Sequence, residues 1–177
     1  MFLITKIDAG ILDFVVSLRN MKIARILLFF TYLGNWEVII GLSVVAIIVL
    51  GFFRKKREII FLITAVVGGE IIKELIKFFV HRSRPNVSFA LISESGYSFP
   101  SGHALMSVIF YGTICYFVYE IREKKWQKIF SFIFFGAIVF IIGFSRIYLG
   151  VHWFFDIIAG WAIGFLILVF LYRFFTK

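Results

Sequence analysis

Apolar residues run along this chain in long blocks, divided by short polar strings that are mostly basic. A bilayer core about 30 Å thick is crossed by ~20 apolar residues of helix. Five blocks meet that length, at residues 36–53, 58–80, 102–121, 127–144 and 153–172. They predict an all-α membrane bundle of about five transmembrane helices. The strings RKKR (54–57) and REKKWQK (122–128) and the final RFFTK lie at three ends of these blocks. Positive charge favours the cytoplasmic side, so those ends are expected there. Alternation of five spans then puts the 81–101 loop and the 145–152 turn together on the opposite face.

The first 34 residues follow a different pattern. Ile7, Ile11, Phe14, Val15 and Leu18 recur at helical spacing, with Asp8, Asp13 and Ser17 elsewhere. This predicts an amphipathic helix over 7–18 lying in the membrane interface. Residues 23–33 form an apolar stretch too short to span. It reads either as a re-entrant or interfacial piece or as an extension of the first span across Gly34. Lys6, Arg19, Lys22 and Arg25 then fall on the outer face, where anionic lipid head groups would receive them. No repeat or linker divides the chain. The expectation is one domain over 1–177, with an interfacial segment (1–34) and a transmembrane bundle (35–172). The start, MFLITKIDAG, lacks the pattern of a cleavable leader, so the first membrane helix is expected to serve as its own insertion signal.

Composition supports the membrane reading. Of 177 residues, 62% are hydrophobic and 25 are Phe, whereas a soluble domain is about 45–50% apolar. The formal charge of +9 would suit a nucleic-acid partner. However, the basic residues sit between apolar blocks and not along one polar face, which argues against nucleic acid. The single Cys115 lies inside an apolar run, leaves no intrachain disulfide to form, and reads as a packing residue.

Candidate chemistry gathers in three strings at block edges: KFFVHRSRP (77–85), PSGH (100–103) and SRIYLGVHWFFD (145–156). Ionisable residues at such places are functional candidates because the bilayer makes them costly. His152 and Asp156, four apart at a helix start, share a face. A carboxylate beside an imidazole fixes its tautomer and stabilises its cation, which makes the ring a nucleophile toward phosphorus. Taken alone, the pair reads better as a buried hydrogen bond capping a helix. In the second string, Pro100 suits a first helical position and the amides after it favour an anion. Gly102 would let the backbone approach closely, Ser101 would add a donor, and His103 could protonate a leaving oxygen. Taken alone, this is also an ordinary helix start. Lys77, Arg84 and Arg146 supply cations for a phosphoryl group, and Pro85 biases Arg84 to extended backbone. For Lys73 and Arg82, snorkelling at helix ends is the preferred reading. Glu70 and Glu74 are expected to pair with Lys73 and Lys77. Neither metal-ligand spacing nor paired carboxylates occur near the dense cations, so no metal or other cofactor is expected.

In this order, the three strings resemble the type 2 phosphatidic acid phosphatase (PAP2) superfamily, which also holds vanadium haloperoxidases. The signature is Lys, six residues, Arg-Pro; then Pro-Ser-Gly-His; then Ser-Arg, five residues, His, three residues, Asp. Lys77, Arg84, Pro85, Pro100, Ser101, Gly102, His103, Ser145, Arg146, His152 and Asp156 match it without a departure. The resemblance covers about residues 30–172. It implies His152 as nucleophile, Asp156 as its orienting partner and His103 as general acid. It further implies Lys77, Arg84, Ser101, Gly102 and Arg146 as phosphate binders, and a phosphohistidine intermediate hydrolysed by water. Small size makes the chain similar to bacterial phosphatases of undecaprenyl pyrophosphate, phosphatidylglycerophosphate and lipid A 1-phosphate. The expectation is therefore a lipid phosphatase of a bacterial inner membrane with its site toward the periplasm, taking a membrane lipid phosphate from the bilayer. The rival from another class is a small transporter or channel with Glu70, Lys73 and Lys77 lining a path. A haloperoxidase fits poorly, because that relative is soluble.

Overall fold

The computed structural model describes residues 2–175, and these fold into helices and connecting loops. In chain order the helices are α1 (Phe2–Ser17), α2 (Met21–Thr31), α3 (Trp36–Phe52), α4 (Lys56–Val80), α5 (Gly102–Ile121), α6 (Lys125–Tyr148) and α7 (Phe154–Phe175). Single 3-10 turns lie at Tyr32–Gly34 and Val87–Phe89.

Helix α5 is the centre of the bundle and packs against α3, α4, α6 and α7. Its buried side chains include Leu105, Met106, Ile109, Phe110 and Phe117, which form a core with Ile39, Phe61, Leu62, Ile142 and Leu171. The hydroxyls of Ser107 and Thr113 are also buried on α5. They donate back to the carbonyls of Ala104 (2.9 Å) and Ile109 (2.7 Å), so neither polar group is left unmade. Two small residues set the contact of α7 with α5. A Cβ on Gly160 would stand 2.9 Å from the Ser101 carbonyl oxygen, and one on Gly164 2.8 Å from that of Leu105. Glycines four apart let two membrane helices approach by their backbones. This approach holds the start of α7 beside the start of α5.

Length and composition give fewer spans than the five blocks suggested. Helices α5, α6 and α7 are long and apolar enough to cross a membrane, and α2 with α3 makes a fourth if that bent pair is one span. Helix α3 alone has 17 residues. Helix α4 has 25 residues, about 37 Å at 1.5 Å each, but it carries Glu70, Lys73 and Glu74 within its apolar run. The α2–α3 pair bends by 53° at Gly34 and Asn35, which joins both of the readings of residues 23–33. Gly34 is tightly packed there, with a Cβ position 3.1 Å from the His103 ring.

Helix α1, expected over 7–18 and found over 2–17, presents Leu3, Ile4, Ile7 and Phe14 outward, as an interfacial helix would. Its inner side carries Leu12, Val15 and Val16 against Ile147, Ile157, Trp153 and Trp161. Asp8 is on that inner side and is fully buried. Arg19, expected among lipid head groups, instead turns inward and donates from Nε to the Tyr148 carbonyl at 2.8 Å. The chain between α6 and α7 turns through Gly150 at φ +76°, where a Cβ would run into the Phe89 carbonyl.

Candidate active site

The three strings meet at one end of the bundle, where α4 and α6 end and α5 and α7 begin. Ser101 is the N-cap of α5, in extended conformation, and its Oγ accepts the Ala104 N–H at 3.5 Å. Pro100 therefore lies before the cap and not in the first turn. The Ser101 hydroxyl is fully buried, and its proton remains free to donate. Helix α4 ends at Val80, where the 58–80 block ends, because His81 takes a left-handed conformation (φ 50°) and closes the helix. The chain then crosses the mouth of the site through Arg82, Ser83 and Arg84. Ser98 ties it down, with its N–H donating to the Arg82 carbonyl at 2.8 Å and its Oγ to the Ser83 carbonyl at 3.0 Å.

Helix α6 extends to Tyr148, so Arg146 sits in a last helical turn and not in the 145–152 turn expected for it. The turn proper runs over 149–153 and delivers His152, while Asp156 lies in the first turn of α7. Asp156 Oδ2 accepts the Trp153 N–H at 3.0 Å and faces His152 Nδ1 at 3.4 Å. On the other side of the ring, Arg84 Nη1 stands 3.1 Å from His152 Nε2. An arginine can only donate, so Nε2 carries the lone pair and Nδ1 the proton. That tautomer follows from the hydrogen-bond pattern.

Arg84 is fixed by three carbonyls, those of Gly96 (3.0 Å), Ser95 (2.9 Å) and Val151 (3.0 Å). Arg146 is 1% exposed. Its Nη1 donates to Thr31 Oγ1 at 2.8 Å, its Nη2 to Glu94, and its Nε–H is buried with no partner among the described residues. The second Glu94 oxygen lies 3.7 Å from Arg84 Nη2. One carboxylate thus bridges the two arginines expected to hold phosphate. Burial first, then the charges of Arg146, Arg84 and Lys77, push the His152 imidazole well below its ordinary value. The ring is therefore neutral near neutrality, with a lone pair at Nε2. Burial likewise lowers Arg84, and Glu94 and Asp156 partly offset it.

His103 lies across the cleft within electrostatic reach of Arg146, His152, Arg84 and Lys73. Its Nε2 is 2.7 Å from Asn35 Oδ1, at the α2–α3 bend. Glu70 and Glu74 both pair with Lys73, at 2.5 and 3.0 Å, and not with Lys77 as expected. Lys77 is left without an ion pair within 4 Å among the described residues and faces Arg84 and Glu94. Lys73 does not snorkel: it is buried, and its side chain lies along Gly102, whose Cβ position is 3.1 Å from Lys73 Cδ. Arg82 does not snorkel either. It donates from Nη1 to Asp156 Oδ1 at 2.6 Å and from Nη2 to Asp8.

Sequence reasoning missed Asp8, Thr31 and Asn35, gave Glu94 no task, and misread Arg82. Asp8 alone left a trace, as a carboxylate inside an amphipathic helix. Among the described residues no three His, Cys, Asp or Glu side chains come together as metal donors. A cavity of about 670 Å³ opens at the far end of the bundle, between Lys55, Phe61, Tyr116 and Phe175. It is remote from the three strings.

The chain is similar to several known proteins. The chain is 29% identical over 171 residues to phosphatidylglycerophosphatase B of Bacillus subtilis, covering 96% of this chain and 83% of that one. It is 33% identical over 118 residues to undecaprenyl-diphosphatase of Sulfolobus acidocaldarius, covering 63% and 53%. Its fold superposes on the crystal structure of a transmembrane PAP2-type phosphatidylglycerolphosphate phosphatase from Bacillus subtilis with a TM-score of 0.91. That match is at 27% identity and covers 98% of this chain and 87% of that one. The PAP2 superfamily model matches residues 58–177, which take in all three strings. With that match spanning two thirds of the chain and every residue of the three strings, the chain belongs to the PAP2 superfamily.

Proposed function

We propose that this membrane lipid phosphatase of the PAP2 type removes phosphate from a lipid head group through a phosphohistidine on His152. The observation that carries the mechanism is the two-sided hold on His152. Asp156 takes the Nδ1 side, and Nε2 points its lone pair at Arg84 in a cleft lined with cations. The substrate phosphorus would sit where Glu94 now bridges Arg84 and Arg146. Lys77, the open Arg146 Nε–H, the Ser101 hydroxyl and the amides at Gly102 would share its oxygens. Charge developing in the transition state would then meet fixed donors in a water-poor site.

His152 Nε2 forms a bond to phosphorus while the bond from phosphorus to the lipid oxygen breaks. His103 gives a proton to that oxygen. Water then attacks the phosphohistidine and loses a proton to His103, the nitrogen–phosphorus bond breaks, and orthophosphate leaves. No group outside the chain and water is needed for this balance. The rival reading as a channel loses its basis, because Glu70 and Glu74 neutralise Lys73 and family membership accounts for Lys77.

The substrate class follows from the relatives, whose names point to phosphatidylglycerophosphate and undecaprenyl diphosphate, with lipid A 1-phosphate as a third head group of that chemistry. The tail would stay in the bilayer, and the cleft would open on the periplasmic face of a bacterial inner membrane. The basic strings at the other end of the bundle support that orientation. The test is phosphate release from each of the three lipids by purified protein in detergent. Release insensitive to EDTA, blocked by vanadate and absent in His152→Ala is the expected result. Release that persists in His152→Ala overturns the mechanism. For orientation, cysteines introduced at Ser93 are expected to react with an impermeant thiol reagent in whole cells and those at Lys55 are not. The reverse labelling overturns it.

A further inference from the structure

Asp8 and Arg82 lie outside the three signature strings' assigned tasks, yet they reach the reacting pair. Asp8 is 0% exposed, as is Asp156, and Arg82 bridges them. One planar guanidinium divides its two terminal nitrogens between two carboxylates: Nη1 to Asp156 Oδ1 at 2.6 Å and Nη2 to Asp8 Oδ2. The other Asp8 oxygen accepts the Phe155 N–H at 3.0 Å, on the residue next to Asp156. Asp8 thereby grips Asp156 twice, once through Arg82 and once through the start of α7.

We propose that Arg82, anchored by Asp8 of α1, is a positioning residue for the His152–Asp156 pair, so that the interfacial helix α1 is a working part of the site. The inference rests on the reading of His152 as nucleophile.

The hydrogen-bond account of Asp156 supports it. Its Oδ2 faces His152 and the Trp153 N–H, the Ser98 side chain also bonds the carboxylate, and Arg82 is the cation that holds Oδ1. Arg82 is itself held in place, with its ring-facing side over Trp153 at 5.8 Å and its carbonyl bonded by Ser98. The charges support it as well. A buried carboxylate is costly unless paired, so Asp8 on the inner face of α1 needs a cation. A simple structural pair would stop at Asp8 and Arg82, whereas here a third member is the partner of His152. The trio carries one net negative charge. Removing Asp8 leaves Arg82 as a full cation on Asp156 and weakens its hold on a positive His152. Removing the Arg82 charge leaves two buried carboxylates beside that ring.

The seat of α1 completes the case. Its outer face is apolar, with Leu3 70% and Phe14 64% exposed. Its inner face packs through Leu12 onto Ile147 and Ile157, which flank the turn bearing His152.

The test uses the full chain in detergent with a lipid phosphate, and compares Asp8→Asn, Arg82→Gln, Arg82→Lys and His152→Ala. Lysine keeps the charge but cannot serve two carboxylates as a fork. For Arg82→Lys the expected result is kcat down by about tenfold or more, with KM and the orthophosphate Ki held, since misplacement by about 1 Å costs on that scale. The acid limb of kcat/KM is expected to move to lower pH in Asp8→Asn and to higher pH in Arg82→Gln, and to stay near the parent in Arg82→Lys. Arg84, Arg146, Lys77, His103 and Asp156 face His152 in all of these variants, and substrate ionisation is common to them, so opposite displacements belong to the trio. A merely structural role would lower activity without opposite shifts. Parental kcat in folded Arg82→Lys overturns the proposal, and that variant decides alone if the other two do not fold. Should His152→Ala keep its activity, the reading of His152 fails instead. If it is inactive while Arg82→Lys is unimpaired, only the clamp fails.

Discussion

Arg84 Nη1 stands 3.1 Å from Nε2 of His152, so the proposed phosphate clamp and the proposed nucleophile touch before any substrate enters. The same guanidinium is held by the carbonyls of Ser95, Gly96 and Val151, which leaves it little freedom to swing. A lysine there would keep the charge and lose both the fork and its supports. Arg84→Lys is expected to lower kcat/KM by about 100-fold, the scale for removing one fixed donor to developing charge. Steady-state release of phosphate measures it, and a loss smaller than tenfold would place the clamp elsewhere.

Glu94 occupies the point between Arg146 and Arg84 where a phosphate would bind. A substrate dianion has to displace that carboxylate, whereas an amide competes weakly. In Glu94→Gln, KM and the orthophosphate Ki are expected to fall by about tenfold, the worth of roughly one hydrogen bond to a charged group, with kcat little changed. Inhibition constants for orthophosphate in the two proteins give the answer, and a higher Ki in the variant would make Glu94 a support for the arginines instead.

Asn35 Oδ1 lies 2.7 Å from His103 Nε2 and orients the proposed general acid from the bend between α2 and α3. Asn35→Ala is expected to cost about tenfold in kcat on a lipid phosphate, and much less on p-nitrophenyl phosphate, whose leaving group needs no proton. Equal losses on the two substrates would count against His103 as the proton donor.

Burial and neighbouring cations hold His152 well below the 6.5 of a free imidazole. The sign of the linkage follows: between the lowered value and 6.5, the unfolded chain binds a proton that the folded protein does not. Stability therefore falls as pH drops through that window and is regained above it. His152→Gln has no such group, and between about pH 7 and pH 5 it is expected to lose less thermal stability than the parent. Melting curves in detergent at those two pH values measure the difference, and parallel losses would remove His152 from the account.

The shared end of the three strings was legible because charge bias and block alternation both depend on long stretches of sequence. Helices α3 to α7 follow the five blocks, and α1 and α2 follow the separate pattern of the first 34 residues, while among the described residues three or four spans pass by length and composition. Glu70, Lys73 and Glu74 give α4 a polar stripe that local hydropathy averages away, and the α2–α3 bend turns on one tight contact at Gly34. The supporting shell was not legible. Asp8 reaches Arg82 across 74 residues, and Arg146 reaches Thr31 across 115. No periodicity records such a pairing. Taken residue by residue, Arg82 at a helix end satisfies the snorkelling rule, and only the position of Asp156 shows where its charge goes. The family signature supplied His103 and His152 with tasks, and it is silent about Asn35 and Asp8, which hold them.

The central claim is that phosphate passes through His152. Rapid quenching of the enzyme with a lipid carrying radiolabelled phosphate, followed by acid and base treatment of the denatured protein, tests it directly. The account predicts an acid-labile, base-stable label that accumulates in His103→Ala and is absent from His152→Ala. Label in His152→Ala, or phosphate release by that variant at the parental rate, would contradict it.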